Sequence, residues 1–230
     1  MIFFLFLAFA DIDSDLNIAS NTKLDQTTRS AAFSRLVSQA EKDSSKLRSI
    51  AHDTSQEVLQ RWIAIRVLGR IGGRQITDHI LPLLEDPKSD IRIAACAALG
   101  EIRSWYTGTP IRKLLKDDVL LVRVAAAQAL GQLADPAAIE DLGEAIYDER
   151  HFHRGKGLWV RIHFVEALGK IRDRKSYPIL FKTLDDSDPK IRKATLRALE
   201  QIAGMSLSEG RSSAEEREAW KRWLSVQLSK

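Results

Sequence analysis

Arg92-Ile-Ala-Ala-Cys-Ala-Ala-Leu-Gly100 is one of five near-copies of a single phrase. The others are Arg61-Trp-Ile-Ala-Ile-Arg-Val-Leu-Gly69, Arg123-Val-Ala-Ala-Ala-Gln-Ala-Leu-Gly131, Arg161-Ile-His-Phe-Val-Glu-Ala-Leu-Gly169 and Arg192-Lys-Ala-Thr-Leu-Arg-Ala-Leu-Glu200. Their first residues are separated by 31, 31, 38 and 31 positions. An aliphatic residue follows two places after each copy: Ile71, Ile102, Leu133, Ile171 and Ile202. Apolar residues at this spacing over about three turns predict an amphipathic helix, and Ala and Leu are good helix formers. A fixed period of this length predicts a stack of helical units, each burying its neighbour's face. The Gly that closes four copies costs about 1 kcal/mol against Ala inside a helix. Either the next helix packs closely there or the helix ends early.

Each phrase follows a second apolar stretch, such as Ile80-Leu81-Leu83-Leu84, Ile111-Leu114-Leu115, Ile139-Leu142-Ile146 or Ile179-Leu180-Leu184. Polar turns lie between them, including Asp86–Asp90, Asp117-Asp118 and Asp185–Pro189. Asp, Ser and Pro mark a helix stop and a new N-terminus. The unit is therefore helix–turn–helix. The pattern Leu84-x-Asp86…Ile91-Arg92, Leu115-x-Asp117…Val122-Arg123 and Leu184-x-Asp186…Ile191-Arg192 resembles the bacterial HEAT-like repeat, of the phycobilisome-lyase type, over roughly residues 44–204. The resemblance implies an all-α fold: a right-handed α-α superhelix of about five helix pairs with capping helices at both ends.

The expected organisation is a possible signal sequence at 1–10, a polar linker at 11–26, the repeat solenoid at 27–204 and a C-terminal capping helix at 205–230. Ile2–Phe9 is an unbroken apolar run, and Ala8-Phe-Ala10 fits a small-x-small cleavage pattern. Export to a periplasmic or extracellular location is the expectation; if the run is not a signal, the location is cytoplasmic. The run is too short to span a bilayer. Arg29-Ser-Ala31-Ala32-Phe-Ser-Arg-Leu36 looks like a weaker copy with no clear first helix, a capping half-repeat. At the other end Glu215–Leu224 reads as a final helix, with Trp220 and Trp223 on one face against the last repeat.

The 230 residues carry 35 Lys and Arg against 31 Asp and Glu, a net charge of +4, with the signs mixed along the chain. A dedicated nucleic-acid binder would show a clustered basic excess. The single cysteine, Cys96, occupies a slot filled elsewhere by Ile65, Ala127, Val165 and Leu196, which makes it a small core residue. There is no phosphate-binding Gly loop, no nucleophile elbow and no His-Glu-x-x-His. No catalytic residue, cofactor or metal is assigned. His151-x-His153 lacks the carboxylate or cysteine frame of a metal site.

Two features remain as binding candidates. The phrase arginines Arg61, Arg92, Arg123, Arg161 and Arg192 are expected to form a structural ladder tied to Asp86, Asp117 and Asp186. Residues one, five and nine after each Arg share one stripe of the second helix. In a HEAT-like stack these helices line the concave side. The stripe offers an apolar row, Trp62, Ile93, Val124 and Ile162, with Arg66, Arg70, Gln128, Glu166 and Arg197 beside it. The long fourth interval places seven extra residues in Asp148–Leu158, read as a mobile contact loop presenting Arg150, Phe152 and Arg154. The resulting expectation is a non-catalytic scaffold that binds a protein or peptide. A chromophore- or cofactor-handling lyase-like protein is the alternative, and a nucleic-acid binder a further one. Partner identity and oligomeric state are left open.

Overall fold

The computed structural model describes residues 11–229; the expected signal sequence at 1–10 lies outside the described residues. Among the described residues the chain is all-α, with thirteen α-helices, short 3-10 turns and one two-stranded hairpin. The phrases lie in α4 (Val58–Ile71), α6 (Ser89–Ile102), α8 (Leu120–Leu133), α10 (Arg161–Ile171) and α12 (Pro189–Ala203). Each follows a shorter partner: α3 (Ser45–His52), α5 (Arg74–Ile80), α7 (Gly108–Lys113), α9 (Ile139–Ile146) and α11 (Tyr177–Thr183). Helices α1 (Ile12–Ser20) and α2 (Gln26–Ala40) precede these pairs, and α13 (Ser213–Leu228) ends the chain. The chain divides into two compact units, up to Ala98 and from Leu99, with the boundary inside α6.

The phrase glycines are explained by close packing. Each phrase helix continues two residues past its Gly, so Gly does not end it. A Cβ added at Gly69 would lie 2.7 Å from Ala98 Cβ and 2.8 Å from Ala98 Cα. The same collision recurs between Gly100 and Ala129 Cα at 2.9 Å, Gly131 and Ala167 Cα at 3.1 Å, and Gly169 and Ala198 Cα at 2.9 Å. The Gly of each repeat therefore faces the Ala seventh in the phrase of the next. The absence of a side chain on Gly and the single methyl of Ala let the backbones approach, and the dense contact offsets the helix cost of Gly. The fifth copy has no following repeat, and Glu200 stands in the Gly position.

Helix ends come one turn later. Gly72, Arg103, Ala134 and Arg172 occupy the same place after their helices and all have positive φ, 65°, 55°, 53° and 58°. Only one of the four is Gly. The left-handed cap is thus imposed by the repeat geometry on residues that do not favour it.

The N-terminus departs from expectation. Residues 11–26 are not simply a linker: α1 occupies Ile12–Ser20 and packs on α2, giving the weak upstream copy its first helix. Its apolar content is thin, with Leu16 and Ala19 buried. A polar anchor supplements it. Asp15 is fully buried, and its carboxylate accepts Arg35 Nε at 2.8 Å, Arg35 Nη2 at 2.6 Å and Gln39 Nε2 at 2.9 Å. A buried carboxylate is stable when its oxygens are satisfied in this way. Asp11 caps the helix by accepting Ser14 N–H.

At the C-terminus, α13 begins with a reciprocal cap between Ser212 and Glu215. Trp220 and Leu224 are fully buried, and Trp223 meets Tyr177 of α11 edge-on at 5.5 Å.

Candidate partner-binding surface

The arginine ladder sits inside the repeats. Arg61 is 2% exposed; its Nε donates to the Ala51 carbonyl and its Nη2 to Asp86 Oδ2 at 2.5 Å. Arg161 repeats this, donating Nε to the Ile146 carbonyl and Nη2 to Asp186 Oδ2 at 2.5 Å. The other oxygen of each Asp closes its own turn, accepting Lys88 N–H or Asp188 N–H. One carboxylate thus fixes a turn and ties it to the preceding repeat. Where the turn Asp lies six residues before the Arg, the guanidinium also holds that turn. Arg92 Nη1 donates to the Asp86 carbonyl, Arg123 Nη1 to those of Asp117 and Asp118, and Arg192 Nη1 to those of Asp186 and Ser187.

The third rung differs. Arg123 Nε donates to His151 Nε2 at 2.8 Å, and His151 Nδ1 donates to the Ala145 carbonyl at 2.7 Å. His151 is fully buried, with its ring 4.9 Å from that of Phe164. Burial, with the nearby Arg123 and Arg150 charges, pushes its pKa below the usual histidine value. Asp148, the turn carboxylate of this repeat, is held by Arg150 at 2.7 Å. A neutral imidazole has taken the place of a carboxylate beside a buried cation.

The seven extra residues make this possible, and they fold as a hairpin where an irregular loop was expected. After a turn at Glu149–His151, Phe152↔Gly157 and His153↔Lys156 pair as an antiparallel hairpin. Its two tip residues, Arg154 and Gly155, have φ of 49° and 73°, as the tightest hairpin turn requires. Phe152 is half-buried, with the Arg161 guanidinium 4.6 Å from its ring centre. Gly157 lies against the same side chain, so its lack of Cβ serves packing. Arg150 is exposed but committed, to Asp148 and to the Lys116 carbonyl. Of the three loop residues read as contacts, Arg154 is the one that points into solvent without a partner.

The apolar row is also corrected. Val124 is buried, and Trp62, Ile93 and Ile162 are half-buried, covered by packing around their helices. The polar members Arg70, Gln128, Glu166 and Arg197 are exposed, and Arg66 is half-buried. Glu166 accepts from His163 at 3.2 Å. Exposed apolar area lies instead two residues before the phrase Arg: Leu59 at 38%, Leu121 at 51% and Trp159 at 53%. That position is three residues before the expected row and on the same face. Its signal was in the sequence, as a column reading Leu59, Asp90, Leu121, Trp159 and Lys190.

Cavities lie beside phrase helices in both units. In the first unit a cavity of about 400 Å³ is lined by Phe33, Leu59, Trp62, Arg29, Arg66 and Arg70. The Arg66 guanidinium lies 5.9 Å from the Trp62 ring centre, and Arg29 Nε is buried with no hydrogen-bond acceptor. In the second unit a cavity of about 650 Å³ lies between α12 and α13, lined by Arg192, Lys193, Arg197 and Arg217 with Glu200 and Glu216. No group of three or more His, Cys, Asp or Glu among the described residues is placed to hold a metal ion. No helix among them is long and apolar enough to cross a membrane.

Comparison with known proteins agrees with this architecture. The structure resembles that of the CpcE–CpcF complex of phycocyanin lyase from Nostoc sp. PCC7120, at 18% identity and a TM-score of 0.51, covering 93% of this chain and 94% of that one. An engineered protein aligns at 18% identity and a TM-score of 0.50, over 91% of this chain and 72% of its own. At these identities the likeness is one of fold. No curated protein matches the chain. The family model for HEAT repeats matches residues 44–109, 77–155 and 158–213, most of the chain, and the protein belongs to the HEAT-repeat family.

Proposed function

We propose that this chain is a non-catalytic binding module whose phrase-helix face holds a peptide segment of a partner protein. The observation that supports it most directly is the first-unit cavity. It joins aromatic and aliphatic area from Phe33, Leu59 and Trp62 to three guanidinium groups. Trp and Arg are the residue types that dominate binding energy at protein interfaces. Leu121 and Trp159 extend the same kind of contact in the second unit.

A random-peptide display selection on the full chain tests this. Selected peptides should bind the wild type and lose about tenfold or more in affinity to Trp62→Ala, the effect of about 1.4 kcal/mol expected of an anchor. Failure to enrich any peptide, or enriched peptides indifferent to Trp62 and Leu59, would count against the reading. Export remains a separate proposal, motivated by the apolar run Ile2–Phe9. N-terminal sequencing of protein from its native host should find a start at or near Asp11; an intact Met1 on cytoplasmic protein would overturn it.

A further inference from the structure

The last rung of the ladder has no acceptor from a following repeat among the described residues. In the preceding repeats the phrase arginine gives part of its guanidinium to an acceptor carried by the next repeat: Arg61 to Asp86, Arg123 to His151, Arg161 to Asp186. Arg192 is the last of the column. Its Nη1 holds the Asp186 and Ser187 carbonyls, as Arg123 Nη1 holds those of Asp117 and Asp118. Among the described residues its remaining nitrogens have no protein acceptor, and α13 rather than another helix pair follows α12. The space left is the cavity of about 650 Å³ between α12 and α13, and Arg192 is half-buried in its wall.

The surroundings favour an anion. Lys193 and Arg197, one turn apart on α12, are exposed, and among the described residues no ion pair involves them. Arg217 of α13 adds a fourth cation. Of the two carboxylates in the wall, Glu200 accepts the Ser206 hydroxyl. Burial, with Glu200 nearby, raises the pKa of Glu216 above the usual carboxylate value. The protein itself shows which group fits an arginine of this column, since two of its fellows hold an aspartate at 2.5 Å. Planar guanidinium and carboxylate match in geometry.

We propose that the α12–α13 cleft binds the carboxylates of an acidic peptide segment, with Arg192 holding one as Arg161 holds Asp186 and with Lys193 and Arg197 engaging its neighbours. This rests on the peptide-binding reading above and names the partner's chemistry at the second cavity. The probe is a fluorescein-labelled peptide rich in Glu and Asp, titrated with the full chain and followed by anisotropy. A Gln/Asn peptide of the same length is the neutral control. The acidic peptide should bind, the control should not, and added salt should weaken binding. Lys193→Glu with Arg197→Glu, both at exposed positions, should lose about tenfold or more in affinity. Arg192→Lys keeps the charge and removes the fork, and should also weaken binding. Trp62→Ala should leave this affinity unchanged, which separates failure here from failure of the first-unit cavity. The inference is overturned if the acidic peptide does not bind, if both α12 variants bind it as the wild type does, if the control binds equally, or if inorganic phosphate or a single-stranded oligonucleotide of equal charge competes as well as the peptide.

Discussion

Gly69→Ala measures how tightly the repeats are held. The new Cβ would lie 2.7 Å from Ala98 Cβ and 2.8 Å from Ala98 Cα, and the second of these atoms is backbone. No rotamer relieves that, so the helices must separate. Overpacking of this kind costs about 1–3 kcal/mol, while exchanging Gly for Ala inside a helix returns about 1 kcal/mol. The net loss is about 1 kcal/mol, within a range from near zero to about 2. At Gly131 the nearest atoms are Ala167 Cα at 3.1 Å and Ala167 Cβ at 3.3 Å, so a shift of a few tenths of an ångström suffices. There the helix gain and the packing cost should roughly cancel. Adding Ala98→Gly to Gly69→Ala removes one of the two close contacts but costs about 1 kcal/mol of helix propensity in α6, so it should cost less in the Gly69→Ala background than in the wild type. Urea unfolding followed by both circular dichroism and tryptophan fluorescence reads all three variants, the two probes guarding against a transition that is not two-state. If Gly69→Ala proves as stable as the wild type, or less damaging than Gly131→Ala, close backbone approach is not why the phrase ends in Gly.

Four further outcomes follow from the same structure. His151 is held neutral and its pKa is lowered by burial, so the unfolded chain takes up its proton first; stability should be complete above the ordinary histidine value near 6.5 and fall as pH drops below it. His151→Gln should flatten that part of a melting-temperature profile, and an unchanged profile would remove His151 as its source. Ala134→Gly relaxes a left-handed residue at φ 53° and should raise stability by about 0.5–1 kcal/mol in urea unfolding. Trp220→Ala leaves a large void under α13 and should cost about 3–5 kcal/mol, with amide exchange near Leu199 quickening first. Asp15→Ala strands Arg35 and Gln39 and should detach α1, seen as faster amide exchange over residues 12–20 with the second unit unaffected.

The phrase helices and their order were legible because their signal is local and repeated. The first helix was not, since it rests on one buried carboxylate, and Asp15 in a polar stretch looks like any linker residue. The hairpin was hidden for a related reason. Its turn reads Arg154-Gly155 where Asn-Gly would have announced it, and the groups that fix it, Arg123 and Arg161, lie elsewhere in the chain. His151 looked like half of a weak metal pair because its partner is 28 residues away. On the phrase helices, periodicity placed the exposed apolar residues one turn from where the structure exposes them. Trp62 is half-buried while Leu121 and Trp159 are exposed, because how far a neighbour covers a helix face depends on how closely that neighbour approaches. The Gly–Ala contacts decide that.

Those contacts also give the chain a grammar of termination. A repeat that ends in Gly invites a successor, because bare backbone is what an incoming alanine helix requires. Glu200 withdraws the invitation. A further repeat, whether fused to this chain or offered by another molecule, would press its alanine onto a carboxylate and have to strip it of water. The Gly–Ala contacts stop at Glu200, and α13 packs on the last helix pair in place of another phrase helix.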